Sequence, residues 1–215
     1  MLTLYFTPGA CSLAAHIVLE ESGQKYEKQF VDLAKGEQRS ESYLKINPQG
    51  RVPVLRLDDG EPLTENTATL PYLGKRFGLW PSEPMAEARA LSLIGFFAAS
   101  VHPAHAHIGR PERYATDPAA FPTIKEAGLK TFHGYLKQID GMLAGREWFS
   151  DRYSVLDAYG LVFYAWGFRR ELPMQELGSY SALKDRMLQR PAVRRVAEKE
   201  KLALVRDLPK SAAAR

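Results

Sequence analysis

The sequence predicts an α/β domain followed by an all-α domain, and three observations carry that reading. Short strand-like runs alternate with helical stripes over residues 1–80. The stretch from Leu79 to Pro84 then interrupts the pattern with Trp80-Pro81 and Pro84. Beyond it, every strong apolar pattern has helical period. The boundary falls in that stretch, giving domains at 1–80 and 85–215.

Leu2 to Phe6 reads as a strand that stops at Thr7-Pro8-Gly9. A helix should follow, capped by Ser12, with an apolar stripe through Leu13 and Ile17 and an end at Ser22-Gly23. Tyr26 to Leu33 alternates well enough for a second strand, and Ser40 to Ile46 suits a short helix closed by Asn47-Pro48. Val52 to Leu57 is a third strand with its proline at the start or edge. Asp58-Asp59-Gly60 turns it into a hairpin with the strand around Leu63, and a helix runs from Asn66 to Arg76. A parallel pair needs a helical crossover, so this order describes a mixed four-stranded sheet with helices packed on it, the thioredoxin-like order. In the second half, helices are expected over Met85–Val101, Pro122–Leu143, a segment opened by the capping signature Ser154 to Asp157, Ser181–Gln189 and Pro191–Lys201.

A chain of 215 residues with 45% hydrophobic content can bury a real core. Its 29 Lys and Arg against 25 Asp and Glu are too mild and too scattered an excess to argue for nucleic acid. No uncharged stretch approaches the roughly 20 residues of a membrane span, so no membrane partner is expected. A single cysteine excludes an internal disulfide and a thiolate metal cage, which suits a reducing compartment; cytoplasm is the expected location.

That cysteine, Cys11, lies between a strand and a helix, where free N–H groups and the helix dipole favour a thiolate; a lone Cys also occurs as a small buried hydrophobe. Cys11-Ser12-Leu13-Ala14 lacks the second thiol of a Cys-x-x-Cys pair, so any thiol partner comes from outside. Val52-Pro53 is either a trans proline on an edge strand or a cis bond that turns Val52's backbone toward an extended peptide. Glu65-Asn66 opens a helix: it caps it, or it receives an amino-acid headgroup, with free N–H groups for the carboxylate and Glu65 for the ammonium. A thiol site, a peptide-pairing edge and a headgroup site on one sheet together match glutathione. His102, His105 and His107 stand close, but Pro103 disturbs their spacing and no acid or cysteine stands beside them, so no metal is expected. Phe96, Phe97, Tyr114, Trp166 and Phe168 are pocket or core aromatics.

The run from Leu4 to Leu19 with its cysteine, the run from Ile46 to Leu55, Leu63-Thr64-Glu65-Asn66 and the Ser154–Asp157 capping box, in this order and spacing, resemble the bacterial beta-class glutathione transferases over essentially the whole chain. The resemblance implies glutathione as co-substrate, a homodimer, and detoxifying conjugation of its thiolate to a small apolar electrophile across an interdomain cleft, with thiol–disulfide exchange through Cys11 as a linked reaction. It also implies that Val52 and a cis Pro53 hold the cysteinyl backbone, Glu65 and Asn66 the gamma-glutamyl group, and Lys35 the glycine carboxylate. Ala10, Cys11, Ser100 and His102 are further implied ligand contacts. Catalytic roles fall to Cys11 at the ligand's sulfur and to Ser12 and His102 in stabilising the thiolate. The chain departs from the better-known beta pattern at Gly95, Ser100 and Pro103. The alternative function is a non-catalytic transferase-like binding or regulatory protein.

Overall fold

The structure is a computed structural model, and residues 1–206 are described; the last nine residues of the expected 85–215 span lie outside them. Strands β1 (Thr3–Phe6), β2 (Glu27–Phe30), β3 (Val54–Arg56) and β4 (Pro62–Thr64) form one sheet in the order β2-β1-β3-β4. β1 pairs parallel with β2 and antiparallel with β3, and β3 pairs antiparallel with β4. Alternation sorts the strand residues onto two faces. Leu4 and Leu55 are fully buried in the main core, while Tyr5 and Val54 join Val31, Tyr43 and Val52 in a smaller cluster on the other face.

Helix α1 (Leu13–Glu21) buries every residue from Leu13 to Leu19, so the expected one-sided stripe becomes a helix enclosed on all sides. The cause is its position: it packs against β1 and α3 (Asn66–Arg76) of its own half and against α7 (Val155–Arg169) and α9 (Pro191–Lys199) of the other. α7 is buried without interruption from Val155 to Tyr164 for the same reason. Its capping box forms as expected: Asp157 Oδ2 accepts the Ser154 N–H at 2.8 Å, and Ser154 Oγ accepts the Leu156 N–H at 3.3 Å.

Several expected bounds change. The second strand is trimmed to Glu27–Phe30, exposed at all four residues because it is an edge, and the third to Val54–Arg56. The Ser40–Ile46 helix shortens to α2 (Glu41–Leu44), with Ser40 Oγ accepting the Tyr43 N–H. Ser12 does not cap α1 with its side chain; its hydroxyl accepts from the Thr7 N–H at 3.2 Å and donates to the Thr7 carbonyl at 3.1 Å, closing the preceding loop. The helix expected to end at Val101 continues: α4 (Pro84–Phe96) passes through a π-helical turn, Phe97–Val101, into α5 (His102–Gly109). Pro103 has no N–H and its ring crowds the preceding turn; the wider turn, closed by the His102 N–H on the Phe97 carbonyl, precedes it and lets the helix run on. α6 (Phe121–Met142) packs along α5, and α8 (Gly178–Gln189) with α9 completes the helical domain.

Candidate glutathione and second-substrate site

A cavity of about 450 Å³ opens between the carboxyl end of β1 and the helices α5 and α7. Its size falls within the roughly 300–1,000 Å³ of small-molecule sites. On the sheet side, the loop after β1 is fixed from the helical domain. Gly9, at φ 67, donates its N–H to Glu200 Oε2 at 2.7 Å, and its carbonyl accepts from Trp166 Nε1 at 2.9 Å. Glu200 Oε1 lies 2.6 Å from His16 Nδ1 in a pair withdrawn from water.

Cys11 follows on this loop. Its thiol is buried and donates to the Val52 carbonyl at 3.2 Å. Burial, followed by the negative charge of Glu65, pushes the thiol up to about 12; Arg110 and the N–H groups of Cys11 and Ser12 pull the other way and lose. The thiolate expected from the helix N-terminus is therefore not the resting state, because desolvation outweighs the dipole.

Val52-Pro53 is cis, and the Val52 N–H finds no acceptor among the described residues. Glu65 caps α3 at φ 65, a conformation that costs a side chain about 1–3 kcal/mol. Its carbonyl is held there by the Ala68 N–H at 3.0 Å, the Thr69 N–H at 2.8 Å and the Thr69 hydroxyl at 2.7 Å. The Glu65 carboxylate stands on the cavity wall without an ion pair among the described residues. Asn66 anchors the cysteine loop, its amide N–H donating to the Cys11 carbonyl at 3.0 Å, and its buried Oδ1 has no partner among the described residues.

The three histidines on α5 serve different ends. His102 stands edge-on to Trp166 at 4.9 Å, and burial with the charges of Arg110, Arg51 and Arg113 pushes it down to about 4. It is a neutral imidazole near pH 7, so the positive charge acting on Cys11 comes from Arg110. His105 stacks on Trp166 at 4.2 Å, and His107 turns away to the Pro103 carbonyl at 2.7 Å and stacks on Tyr114.

Of the expected site residues, Ala10, Cys11, Val52, Pro53, Glu65, Asn66 and His102 share this wall. Ser12, Lys35 and Ser100 do not. Lys35 is 85% exposed and pairs with Asp32 at 3.6 Å; Ser12 faces the Thr7 loop, and Ser100 sits in the π-helical turn. Among the aromatics, Tyr114 and Trp166 line the cavity. Phe97 is core, Phe96 packs on Tyr135, and Phe168 lines a neighbouring hollow. Sequence reading missed the arginines: Arg51, Arg110, Arg113, Arg169 and Arg170 all reach the wall. The one local signal was basic residues at helix ends, Arg110 after α5 and Arg169-Arg170 closing α7. Only the packing of those ends together makes them a cluster.

A thioredoxin-like sheet presenting one thiol to a cavity roofed by a helical domain defines a two-domain thiol-handling protein. Comparison with known proteins narrows this. Residues 1–75 match the family described as glutathione S-transferase, N-terminal domain. Glutathione S-transferase GstA of Escherichia coli O157:H7 is 31% identical over 89% of this chain and 95% of its own. A glutathione transferase homolog from Sulfitobacter with bound glutathione superposes with a TM-score of 0.89, at 33% identity over 94% of this chain and 99% of that one. A beta-class enzyme from Sphingomonas chungbukensis superposes at 0.81, with 31% identity over 92% and 98% of the two chains. The chain belongs to the glutathione S-transferase family. The match to proteins named as glutathione transferases runs along nearly their whole lengths, which supports the enzyme rather than the binding module.

Proposed function

We propose that the protein is a beta-class glutathione transferase, cytoplasmic and homodimeric, that conjugates the glutathione thiolate to small electrophiles in a detoxifying role. Residues 1–80 bind glutathione and the helical domain, 85–215, forms the electrophile wall. The observation that carries this is the gathering, on one cavity, of the Cys11 thiol, the Val52 N–H and the Glu65 carboxylate, the last two without a partner among the described residues. These groups complement the cysteinyl backbone and the ammonium of glutathione, and the free N–H groups opening α3 complement its gamma-glutamyl carboxylate. Arg51, beside Val52 on the wall, takes the glycine carboxylate in place of the distant Lys35. The ligand's sulfur then lies at Cys11, within reach of Arg110, the positive charge that opposes burial and Glu65 there. An ammonium at Glu65 also offsets the negative charge that opposes a thiolate. His102 is neutral and serves as a polar wall.

Conjugation is favoured over thiol–disulfide exchange because Cys11 itself is held protonated, and only its thiolate could attack a mixed disulfide. Titrating glutathione in a calorimeter, alongside steady-state conjugation of chlorodinitrobenzene, tests the reading. Binding with turnover supports it; no heat at millimolar glutathione and no turnover sinks it. Light scattering tests the dimer.

A further inference from the structure

The cavity carries more positive charge than glutathione can match. Five guanidiniums against the single carboxylate of Glu65 leave four positive charges on the wall. Glutathione as a thiolate brings two carboxylates, one thiolate and one ammonium, and so answers two of them. Neither His102 nor His105 changes the count, since burial and the arginines push them down to about 4 and about 3.

Helix dipoles explain part of this. The carboxyl ends of α5 and α7 attract cations, which accounts for Arg110, Arg169 and Arg170 one helix at a time. They do not explain why two helix ends deliver Arg110, Arg113, Arg169 and Arg170 to one wall. None of the four has an ion-pair partner on that wall among the described residues. The arrangement works against itself: burial, then Arg110 and Arg51, hold Arg113 below the ordinary guanidinium range, and burial with Arg170 does the same to Arg169. Among the described residues, only Arg170 of the four has a polar side-chain contact, its Nε 3.5 Å from His105 Nε2. Such a cluster is relieved when an anion enters.

Building on the conjugation reading above, we propose that Arg113, Arg169 and Arg170 form a carboxylate-binding subsite for the second substrate. The preferred electrophile is then an apolar or aromatic body bearing one or two carboxylates. Tyr114, exposed on the same wall, seats the body, and the planar guanidiniums grip the carboxylate in bidentate fashion. Arg110 stays with the sulfur. In aromatic displacement the sulfur's electron pair forms the S–C bond at the chlorine-bearing carbon, and chloride leaves with the C–Cl pair.

The test pairs a chlorodinitrobenzoate with its methyl ester, each rate divided by the uncatalysed rate with glutathione. The wild type should favour the anion by about tenfold. In an Arg113→Gln, Arg169→Gln double variant that preference should fall toward parity, with the loss in KM for the benzoate rather than KM for glutathione. Equal wild-type preference overturns the proposal, as does a double variant that loses glutathione affinity while keeping the preference, which would assign these arginines to glutathione. Calorimetry with the two glutathione conjugates reads the subsite without turnover. If neither electrophile reacts but the carboxylated conjugate binds about tenfold tighter, conjugation fails while the subsite stands; equal affinities end the subsite alone.

Discussion

Cys11 shows how a residue's role depends on what surrounds it. Its loop supplies N–H groups, yet burial and Glu65 keep the thiol protonated and bonded to the Val52 carbonyl. Because the protonated thiol leaves disulfide reduction weak in the wild type, Cys11→Ala should remove that small activity while lowering conjugation by less than about tenfold. Parallel rate measurements check this, and equal losses in both reactions would contradict it. Arg110 has the opposite expectation. Removing the cation raises the pKa of the bound glutathione thiol, so Arg110→Ala should shift the acid limb of the kcat/KM profile upward by about one pH unit. The loss then appears below the shifted limb and recovers at alkaline pH. An unmoved limb would place the thiolate's stabilisation elsewhere. The cysteine, Val52-Pro53 and Glu65-Asn66 were legible as local sequence signals because each is a short run with its own backbone consequence. The arginines were not, because charge reveals nothing about where a helix end points.

At the scale of the element, α7 was the most legible piece. Ser154 and Asp157 cap it through backbone groups two and three residues away, so the motif needs no tertiary partner to form. Ser154→Ala should cost about 1 kcal/mol in chemical denaturation. Asp157→Ala should cost more, since it leaves the buried Ser154 N–H and the Phe149 N–H without their acceptor. Burial raises Asp157 from 3.8 to about 6 despite these bonds. The folded state therefore binds this proton more tightly than the unfolded one. Its contribution to stability is fully present below about pH 4 and is lost as pH rises through 6. Asp157→Asn should flatten that slope, which denaturation at several pH values would show. The α4–α5 run was harder to read, because Pro103 looks like a terminator until the π-helical turn that accommodates it is seen.

Across the whole molecule, the two domains meet through α1, α7 and a small set of buried polar links. Glu200 joins His16 on α1 to the Gly9 N–H at the mouth of the site, so the carboxyl-terminal part of the chain holds the cysteine loop in place. Glu200→Ala leaves buried His16 Nδ1 and the Gly9 N–H without their partner and should destabilise by about 1–3 kcal/mol for each. A milder companion, Glu200→Gln, keeps the side-chain size and should raise KM for glutathione through a looser Gly9 loop. Denaturation and steady-state kinetics together would show whether stability and ligand affinity move as one. The family resemblance was readable because its motifs keep their order along the chain. The mutual burial of α1 and α7 was not, since an all-round apolar helix carries no periodicity to say what covers it.

What the amino-acid order alone determined was the succession of elements, the capping of α7 and the glutathione-type motifs, all set by interactions within a few residues. Tertiary structure decided the charge state of Cys11, the absence of Lys35 and Ser100 from the cavity wall, and the arginine cluster. Desolvation and electrostatic fields are set by groups far apart in the chain, and only folding fixes the distances between them.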